Sequence, residues 1–552
     1  MLLLLLLHLL ILPGLTQTAP TPPNVVLIVS DDLRAQVNVA DFFANDSGLP
    51  RTSNLESLAK SGHSFNHAYA NQALCGPSRN SFLSGRRPQR TEAYNFVDSF
   101  RDVEGGENWT TLPGLFKRNN YTTVGAGKIF HPGLPPDNDM PYSWDDRMSD
   151  GTWESWMYPT EDACPLKTSW CGTDNETDLE DFKTTQQAIK LLDNITSTEK
   201  NSPFFLAVGY RKPHLQWRLP NRILENVPLE SVSSPASPDF PPSTPPLAYH
   251  MPVDDFLLEF SDVEQCGSAN LTDPATAWFS ESCSRLWRRG YYSAVEYMDE
   301  QVGLILNELK ERKLEDNTIV IFFGDHGWHL GEFGMFEKFS NFEVALRTPM
   351  FIRAPSLVTP GGLTTAPVEL VDVYRTVADL ANLQIPANES SSIDGESLLP
   401  LMQGKKDDED RMAFSQFPRC LDGKNYADLP LSSDDRNVWN VYNDGDKPSR
   451  RHEITNLPEW KLSNCNEITV EGMDWMGLSV RTQDWRYTVW HRFGSEGINW
   501  EAAIGGEELY SYYPGDVDIF RSPNNFENVA GDPVNADVVN ELRGYIEIQW
   551  NK

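Results

Sequence analysis

Two short apolar segments of this chain end in polar pairs, and this repeated pattern constrains the fold more than any other feature. Residues 24–30 lead directly into Asp31 and Asp32, and residues 318–323 lead in the same way towards Asp325 and His326. Continuous apolar, β-branched runs of this length are typical of strands that are buried on both faces of a sheet. Open α/β sheets carry their functional groups at the carboxyl ends of such strands. The two polar pairs are therefore predicted to lie at one edge of one sheet.

Similar runs recur along the chain and alternate with helical patterns. Further strands are predicted over residues 121–124, 204–208 and 349–352, and helices over residues 185–192 and 295–309. This alternation predicts an α/β fold in which helices flank a large, mostly parallel sheet. Beyond residue 412 aromatic and polar residues alternate, as in residues 478–490, which indicates a smaller C-terminal domain containing an antiparallel sheet.

The composition divides the chain into three parts. A leucine-rich run followed by small and polar residues predicts a cleaved signal peptide over residues 1–19. Because 552 residues exceed what one minimal domain needs, residues 20–412 are predicted to form a catalytic domain and residues 413–552 a smaller domain. No later apolar run approaches the length of a membrane span. Residues 228–246 and 432–451 are predicted to form exposed loops.

Cysteines and glycosylation sequons both indicate the secretory pathway. Proximity along the chain predicts disulfides between Cys164 and Cys171, Cys266 and Cys283, and Cys420 and Cys465, which leaves Cys75 as the odd cysteine. Asn-x-Ser/Thr sequons suit a glycosylated lumenal protein, and they occur at Asn45, Asn108, Asn120, Asn175, Asn194, Asn270 and Asn388. An odd cysteine in a secreted chain often marks a site of chemistry.

The net charge of −33, from 46 basic and 79 acidic side chains, argues against a nucleic-acid-binding function. Such acidity suits either a locally cationic pocket in an acidic body or an acidic compartment in which many carboxylates are protonated. Solubility alone explains most of these acidic residues equally well. The predicted location is the secretory pathway, with the lysosome favoured and secretion as the alternative.

Residues 75–79, Cys-Gly-Pro-Ser-Arg, and residues 83–86, Leu-Ser-Gly-Arg, resemble the signature of the sulfatase family. The resemblance implies an alkaline-phosphatase-like sulfatase fold, and it implies that the formylglycine-generating enzyme oxidises Cys75 during maturation. One hydroxyl of the hydrated aldehyde would attack sulfur, and the second would let the aldehyde re-form and expel inorganic sulfate. A tight loop that leads into a helix would also present backbone N–H groups and Arg79 to an anion.

The same resemblance implies one calcium ion beside the nucleophile. Its ligands, by their positions in the family's motifs, would be Asp31, Asp32, modified Cys75, Asp325 and His326. Carboxylate oxygens are the ligands that a hard divalent cation prefers. An Asp-Asp pair after a single strand more often caps a helix, but a second polar pair after a second strand favours a metal site.

Four more residues resemble groups with which the family handles sulfate. Lys128 and His131 lie in a Gly-Lys-x-x-His element, His214 ends a Tyr-x-x-Pro-His element, and Lys338 follows Asp325 by thirteen residues. The two lysines, with Arg79, would hold sulfate oxygens and offset charge in the transition state. His214 is the candidate acid for the leaving alcohol and His131 the candidate base that lets the aldehyde re-form. A lone histidine is usually structural, but five motifs in the expected order favour catalysis.

The resemblance extends over nearly the whole chain to family members that remove the 2-O-sulfate of terminal iduronate from dermatan sulfate and heparan sulfate. It is strongest over residues 29–34, 127–133, 209–220, 325–332 and 338–343. The implied substrate is a sulfated glycosaminoglycan, and its sugar carboxylate needs a cationic partner. Arg481 and Arg486 are the candidates for that partner, while Trp328 and Leu330 are candidates for an apolar pocket wall.

Three other functions stay open at this point. The chain could be a sulfatase that acts on another sulfated glycan, a phosphodiesterase or phosphatase with two zinc ions, or a non-catalytic protein that binds sulfated glycans. Enzymes with two zinc ions usually need a Ser or Thr nucleophile and more Asp and His ligands than this sequence offers. Binding alone would not require Cys75. Hydrolysis of sulfate esters is therefore the predicted activity.

Overall fold

A nine-stranded mixed sheet organises the larger part of the chain. This computed structural model describes residues 21–39, 48–145, 156–161, 163–198, 202–235, 243–249, 257, 260–263, 280–405, 410–421, 462–463, 465, 468–512 and 527–551. The strands are β1 (Asn24–Ser30), β2 (His63–Tyr69), β3 (Thr122–Gly127), β4 (Trp156–Met157), β5 (Trp170–Thr173), β6 (Phe204–Tyr210), β7 (Trp217–Pro220), β8 (Thr318–Gly324), β9 (His329–Leu330), β10 (Phe336–Glu337), β11 (Arg347–Arg353), β12 (Gly362–Thr364), β13 (Val368–Glu369), β14 (Ala413–Leu421), β15 (Leu462–Ser463), β16 (Trp475–Arg481), β17 (Trp485–Gly494), β18 (Gly497–Asn499) and β19 (Gly506–Ser511).

Helices lie along both this sheet and the C-terminal sheet. Within the described ranges they are α1 (Ser53–Ser61), α2 (Cys75–Ser84), α3 (Pro88–Thr91), α4 (Leu112–Arg118), α5 (Glu180–Thr198), α6 (Asn221–Asn226), α7 (Glu281–Glu311), α8 (Glu343–Leu346), α9 (Asp372–Leu380), α10 (Leu399–Met402) and α11 (Ala536–Trp550). The predicted helices over residues 185–192 and 295–309 are confirmed as parts of α5 and α7.

The large sheet has the strand order β12-β2-β11-β8-β1-β6-β3-β4, and β13 adds to β2. Strand β1 lies near its centre, parallel to β6 and β8, and all seven of its residues are buried. The mostly parallel sheet is confirmed, although β11 runs antiparallel to both of its neighbours. Two apolar cores cover the faces of the sheet, because alternate β1 side chains such as Val26 and Val25 belong to different clusters.

The predicted antiparallel sheet is also confirmed in the C-terminal part. It has six strands, in which β16 and β17 form a hairpin between β14 and β18, and β19 pairs with β17. Its buried residues form an apolar cluster of their own with Val539, Leu542 and Ile546 of α11. The pattern of residues 478–490 therefore marks the centre of this sheet.

Disulfides join Cys164 to Cys171 and Cys420 to Cys465, as predicted, and Cys75 is a free, buried cysteine. Cys283 is disulfide-bonded, and Cys266 lies outside the described residues, as do residues 1–19 and 432–451 and the sequons at Asn45 and Asn270. Asn108, Asn120, Asn175 and Asn388 have exposed side chains, as glycan attachment requires. In the described parts of the chain, no helix combines the length and the apolar character needed to cross a bilayer.

Candidate active site

The register of three neighbouring strands brings the predicted residues together. Ser30 of β1 lies opposite Tyr210 of β6 and Gly324 of β8. The next residues continue this alignment, because the backbone N–H of Asp31 donates to Tyr210 and that of Asp325 donates to Ser30. The two polar pairs that follow β1 and β8 therefore lie side by side at the carboxyl edge of the sheet, as their sequence context predicts.

Cys75 begins helix α2, which ends at Ser84 before Gly85 in a left-handed conformation. Its Sγ lies 3.3 Å from Asp31 Oδ1, 3.4 Å from His326 Nε2 and 3.0 Å from Lys338 Nζ. The first turn of a helix carries a partial positive charge and unpaired N–H groups, which favour an anion there. Burial, together with Asp31, raises the pKa of the Cys75 thiol, so the unmodified side chain is a neutral thiol.

Arg79 holds the carboxylates and the neighbouring loop in place. Its guanidinium group contacts Asp31 Oδ1 at 3.3 Å and Asp325 Oδ2 at 3.0 Å, and it also donates to the backbone carbonyls of Lys128 and Ile129. The side chain is 1% exposed. These contacts make Arg79 an internal support of the site as well as a positive charge.

Lys128 reaches the site because β3 ends in a glycine. Gly127 has a φ of 78°, and a Cβ there would collide with the carbonyl of Gly209. The chain can therefore turn at this position and place Lys128 Nζ 2.6 Å from Asp31 Oδ2. Burial alone would raise the pKa of Asp31, but Lys128 and the other nearby cationic groups hold that pKa well below its usual range.

Asp32 and Lys338 form the second ion pair of the site. Lys338 Nζ lies 2.8 Å from Asp32 Oδ1, while Asp32 Oδ2 is buried and has no hydrogen-bond partner among the described residues. Burial raises the pKa of Asp32 to about 7 in spite of Lys338. Asp32 has a φ of 63°, which a residue with a side chain seldom adopts. The arrangement leaves one buried carboxylate oxygen without a hydrogen-bond partner among the described residues.

His326 has the orientation of a metal ligand. Its Nδ1 lies 3.0 Å from the carbonyl of Gly327, which assigns the ring proton to Nδ1. Its unprotonated Nε2 then faces Asp32 Oδ1 at 3.5 Å and Asp325 Oδ2 at 3.6 Å. Ligand atoms of Asp31, Cys75, Asp325 and His326 all lie within 4.8 Å of one another. The lone pair of His326 Nε2 faces two carboxylates, and Asp32 Oδ2 has no hydrogen-bond partner among the described residues. Both features fit a divalent cation.

The two candidate proton-transfer groups, His214 and His131, lie beside this cluster. His214 Nδ1 lies 2.5 Å from the carbonyl of Leu215, and its Nε2 lies 3.9 Å from Asp32 Oδ2. Burial lowers the pKa of His214 well below its usual value, although Asp31 opposes this shift. His131 packs on Phe96 with 4.9 Å between ring centroids, and burial together with Lys128 lowers its pKa to about 2. Both imidazoles are therefore neutral near neutral pH without substrate.

Trp328 lies at the site, whereas Leu330 belongs to the apolar core. The Trp328 ring is 6.4 Å from the His214 ring and 5.4 Å from Lys338 Nζ, and its Nε1 has no hydrogen-bond partner within the described ranges. Leu330 lies in the small β9–β10 ribbon opposite Phe336 and is fully buried. A pocket wall that includes Leu330 stays a prediction.

The environment of Arg481 and Arg486 corrects the expectation that they bind a sugar carboxylate. Both side chains are almost fully buried, and their guanidinium groups lie 3.3 Å and 2.7 Å from Glu343 Oε2. Tyr69 donates to the other oxygen of Glu343 at 2.6 Å. Glu343 Oε2 already accepts from both guanidinium groups, and each arginine is only 1% exposed, so we assign the two arginines a structural role.

Tyr291 is a site residue that the sequence analysis missed. Its hydroxyl donates to the backbone carbonyl of Asp32 at 2.6 Å and accepts from the backbone N–H of Arg34 at 2.9 Å. Tyr291 lies on α7, in a stretch of core residues 259 positions from Asp32. No local sequence signal distinguishes it from its buried neighbours, because its role depends on a contact made only in the fold.

Comparisons with known proteins show similarity in sequence and in fold. The family model named Sulfatase matches residues 23–383. Iduronate 2-sulfatase of Mus musculus is 33% identical over 573 aligned residues, which cover 94% of this chain and 93% of that protein. A solved structure described as a complex with its substrate D-glucosamine-2-N,6-O-disulfate has a TM-score of 0.65 and 19% identity, covering 96% of this chain and 98% of that one.

A second solved structure bears on the alternative functions. The phosphonate monoester hydrolase from Silicibacter pomeroyi has a TM-score of 0.62 and 18% identity, covering 96% of this chain and 95% of that one. At such identities the likeness of both structures concerns the fold alone, which is the predicted alkaline-phosphatase-like fold. The choice of substrate class rests on the family match and on the residues of the site.

Proposed function

The chain belongs to the sulfatase family, and we propose that it removes the 2-O-sulfate from terminal iduronate in dermatan sulfate and heparan sulfate. Hydrolysis of sulfuric esters is the activity of the family. The observation that carries the proposal is the cluster in which Asp31, His326 and Lys338 lie within 3.4 Å of Cys75 Sγ. The similarity to mouse iduronate 2-sulfatase over most of both chains supports the choice of sugar. The proposed location is the lysosome.

The charges of the site suit a divalent cation and a sulfate ester together. Among the described residues around Cys75, the three carboxylates of Asp31, Asp32 and Asp325 are balanced by three cations, Arg79, Lys128 and Lys338. A calcium ion held by Asp31, Asp32, Asp325 and His326 beside position 75 would polarise the nucleophilic oxygen and the sulfate group. It would also give the pocket a positive surplus. An anionic ester is then attracted even though the whole chain carries a charge of −33.

In this proposal Cys75 is converted to formylglycine by the formylglycine-generating enzyme. The hydrated aldehyde supplies the attacking hydroxyl and a second hydroxyl for release of sulfate. The position of residue 75 at the start of α2 places the nucleophile where the helix dipole favours negative charge. Lys128 and Lys338, whose amino groups lie 2.6 Å from Asp31 Oδ2 and 2.8 Å from Asp32 Oδ1, stabilise the sulfate oxygens as charge develops on them.

His214 and His131 move protons at opposite stages. The carbonyl of Leu215 holds the proton of His214 on Nδ1, so Nε2 must gain a proton before it can protonate the leaving alcohol. An anionic sulfate ester beside Nε2 favours this protonation, and so does an acidic lumen. His131 stays neutral down to low pH, which suits a group that accepts a proton when the aldehyde re-forms.

Hydrolysis of defined disaccharides tests the proposal. We expect the purified enzyme to release sulfate from a disaccharide with a 2-O-sulfated iduronate at its non-reducing end, and not from the matched disaccharide whose only sulfate is on the reducing-end sugar. Lys338→Met should abolish this activity, because it removes a cation from the nucleophile cluster. Lys310→Met serves as the matched control, since Lys310 is exposed near the end of α7.

Two results would separate the levels of the proposal. Cleavage of another sulfated sugar in place of terminal iduronate would overturn the proposed substrate and leave the family activity intact. A wild-type enzyme that contains formylglycine and calcium but cleaves no sulfate ester, including a small aryl sulfate, would overturn the catalytic proposal itself.

A further inference from the structure

A cavity lies outside the candidate active site, between the C-terminal sheet and the segment that follows α3. Its volume is about 730 Å³, within the range of small-molecule sites. Four aromatic side chains line it: Tyr94, Phe493, Trp500 and Trp550. Tyr94 and Phe493 pack edge to face with 5.2 Å between their ring centroids. The cavity therefore offers an ordered apolar surface to a ligand.

Gln416 gives this cavity a polar group that the fold leaves unsatisfied. Its side chain is about 1% exposed, and its Oε1 accepts a hydrogen bond from Trp550 Nε1 at 3.1 Å. Because an indole N–H can only donate, this bond fixes which end of the amide faces Trp550. The Nε2 group of Gln416 has no hydrogen-bond partner in the described parts of the chain. A buried donor of this kind calls for an acceptor, which a ligand can supply.

Acidic residues make the cavity attractive to a cation. Five carboxylate residues line it, and among the described lining residues there is no lysine or arginine; the five are Glu92, Asp98, Asp102, Glu471 and Glu496. Burial, together with Asp102 and Glu471, raises the pKa of Asp98. A positive charge placed among these groups would relieve their mutual repulsion.

We propose that this cavity binds a hydroxylated organic ammonium ion, such as an amino sugar. Its ammonium group pairs with the carboxylates and lies against the faces of Trp500 and Trp550. A hydroxyl or ring oxygen accepts from Gln416 Nε2, and the C–H face packs on the aromatic side chains. An inorganic cation would use neither the amide donor nor the aromatic surface, so an organic cation accounts for more of the observed lining.

The cavity lies close to the candidate active site along the chain. Tyr94 lines the cavity, and its backbone carbonyl accepts from Gln72 Nε2 at 2.5 Å. Two residues further on, Phe96 packs on His131. The proposed site is nevertheless separate from the nucleophile cluster, and a binding measurement tests it without reference to sulfate hydrolysis.

Calorimetric titration of the full-length protein with glucosamine tests the proposal, with N-acetylglucosamine as the matched neutral probe. We expect saturable one-to-one binding of glucosamine and at least tenfold weaker binding of N-acetylglucosamine. The double variant Glu471→Gln/Glu496→Gln, at two exposed positions, should weaken glucosamine binding at least tenfold and leave aryl sulfate hydrolysis unchanged. Glu225→Gln/Glu230→Gln removes the same charge elsewhere and should bind like wild type. Gln416→Met tests the amide donor and should also weaken binding.

Several outcomes would overturn the proposal. The first is the absence of saturable glucosamine binding, and the second is binding of N-acetylglucosamine as tight as that of glucosamine. The third is equal affinity for glucosamine in the Glu471→Gln/Glu496→Gln variant and its Glu225→Gln/Glu230→Gln control. Calcium that binds the wild type in place of glucosamine, and binds the Glu471→Gln/Glu496→Gln variant more weakly, would make the cavity a metal site instead. If Gln416→Met fails to fold, as judged by circular dichroism, the Glu471→Gln/Glu496→Gln variant at the two exposed positions still tests whether the cavity binds glucosamine.

Discussion

Replacing Tyr291 by phenylalanine should weaken the metal site without touching any ligand. The substitution keeps the buried ring and removes the hydroxyl that bridges the Asp32 carbonyl and the Arg34 N–H at 2.6 and 2.9 Å. Leaving each of these buried backbone groups unsatisfied costs about 1–3 kcal/mol, so the total is about 2–6 kcal/mol. Asp32 also has a positive φ, a conformation that persists only where its surroundings hold it.

Part of that free energy should appear as a displacement of Asp32 from the position in which Tyr291 holds it. We expect the variant to bind calcium at least tenfold more weakly than wild type, and kcat for a small aryl sulfate to fall by at least a similar factor. Calcium affinity is measured on the metal-free protein from the dependence of the melting temperature on calcium concentration. Raising the calcium concentration should restore part of the activity when the assay is run well below the melting temperature, where the variant is folded with or without calcium.

Tyr292→Phe provides the matched control for this prediction. Tyr292 is the next residue of α7 and is also buried, but its hydroxyl accepts from Arg288 and does not reach Asp32. It should lower stability and leave calcium affinity within about twofold of wild type. The reasoning fails if the Tyr291 and Tyr292 variants lose stability alike while both bind calcium as tightly as wild type.

Four further predictions concern other parts of the molecule. Mass spectrometry of the peptide that contains residue 75 should show an aldehyde in place of the thiol, and an active enzyme with an intact thiol would contradict this modification. Cys75→Ser should stall as a sulfated protein, because serine lacks the second hydroxyl. Asp325→Ala should abolish calcium binding, because it removes a proposed ligand and a partner of Arg79. Metal analysis after dialysis measures this loss. Two bound zinc ions in the active wild type would favour a phosphatase instead. Arg486→Ala should leave Glu343 with a weakened buried ion pair and cost about 3–5 kcal/mol of unfolding free energy in urea; a loss confined to iduronate substrates, with full activity on an aryl sulfate, would restore its role in specificity. Burial raises the pKa of Glu508 to about 7, so the folded state holds a proton that the unfolded state releases at lower pH. Wild type should therefore lose about 3 kcal/mol of stability relative to Glu508→Gln as pH rises from about 4.5 to 7. A stability difference that does not grow between pH 5 and pH 8 would refute that pKa.

The parts of the fold that local patterns determine could be predicted from the sequence. The apolar runs of β1 and β8 identified two central strands, and the polar pairs that follow them meet because the strands are parallel neighbours in register. Strand β2 escaped notice, because His63, Asn66 and His67 interrupt its apolar pattern. Polar groups in β2 are tolerated where the fold supplies partners, as Thr364 does for His63 at 2.9 Å.

Residues whose role depends on distant partners could not be predicted in this way. In the sequence Arg481 and Arg486 are cations without visible partners, and a sugar carboxylate was a reasonable expectation. Their partner, Glu343, is 138 and 143 residues away. Sequence can show that a charge is present, but only the fold shows whether another charge already neutralises it.

This ion pair also connects the candidate active site to the smaller C-terminal sheet. Lys338 lies on the segment that runs into α8, where Glu343 is held by Arg481 of β16 and Arg486 of β17. Asn341, between them, donates to the carbonyl of Gly477 at 2.9 Å. The C-terminal sheet therefore braces the segment that brings Lys338 Nζ within 3.0 Å of Cys75 Sγ. Loss of the brace would move the Lys338 amino group, for which we propose a role in catalysis, so damage to these arginines should reduce hydrolysis of every sulfate ester alike.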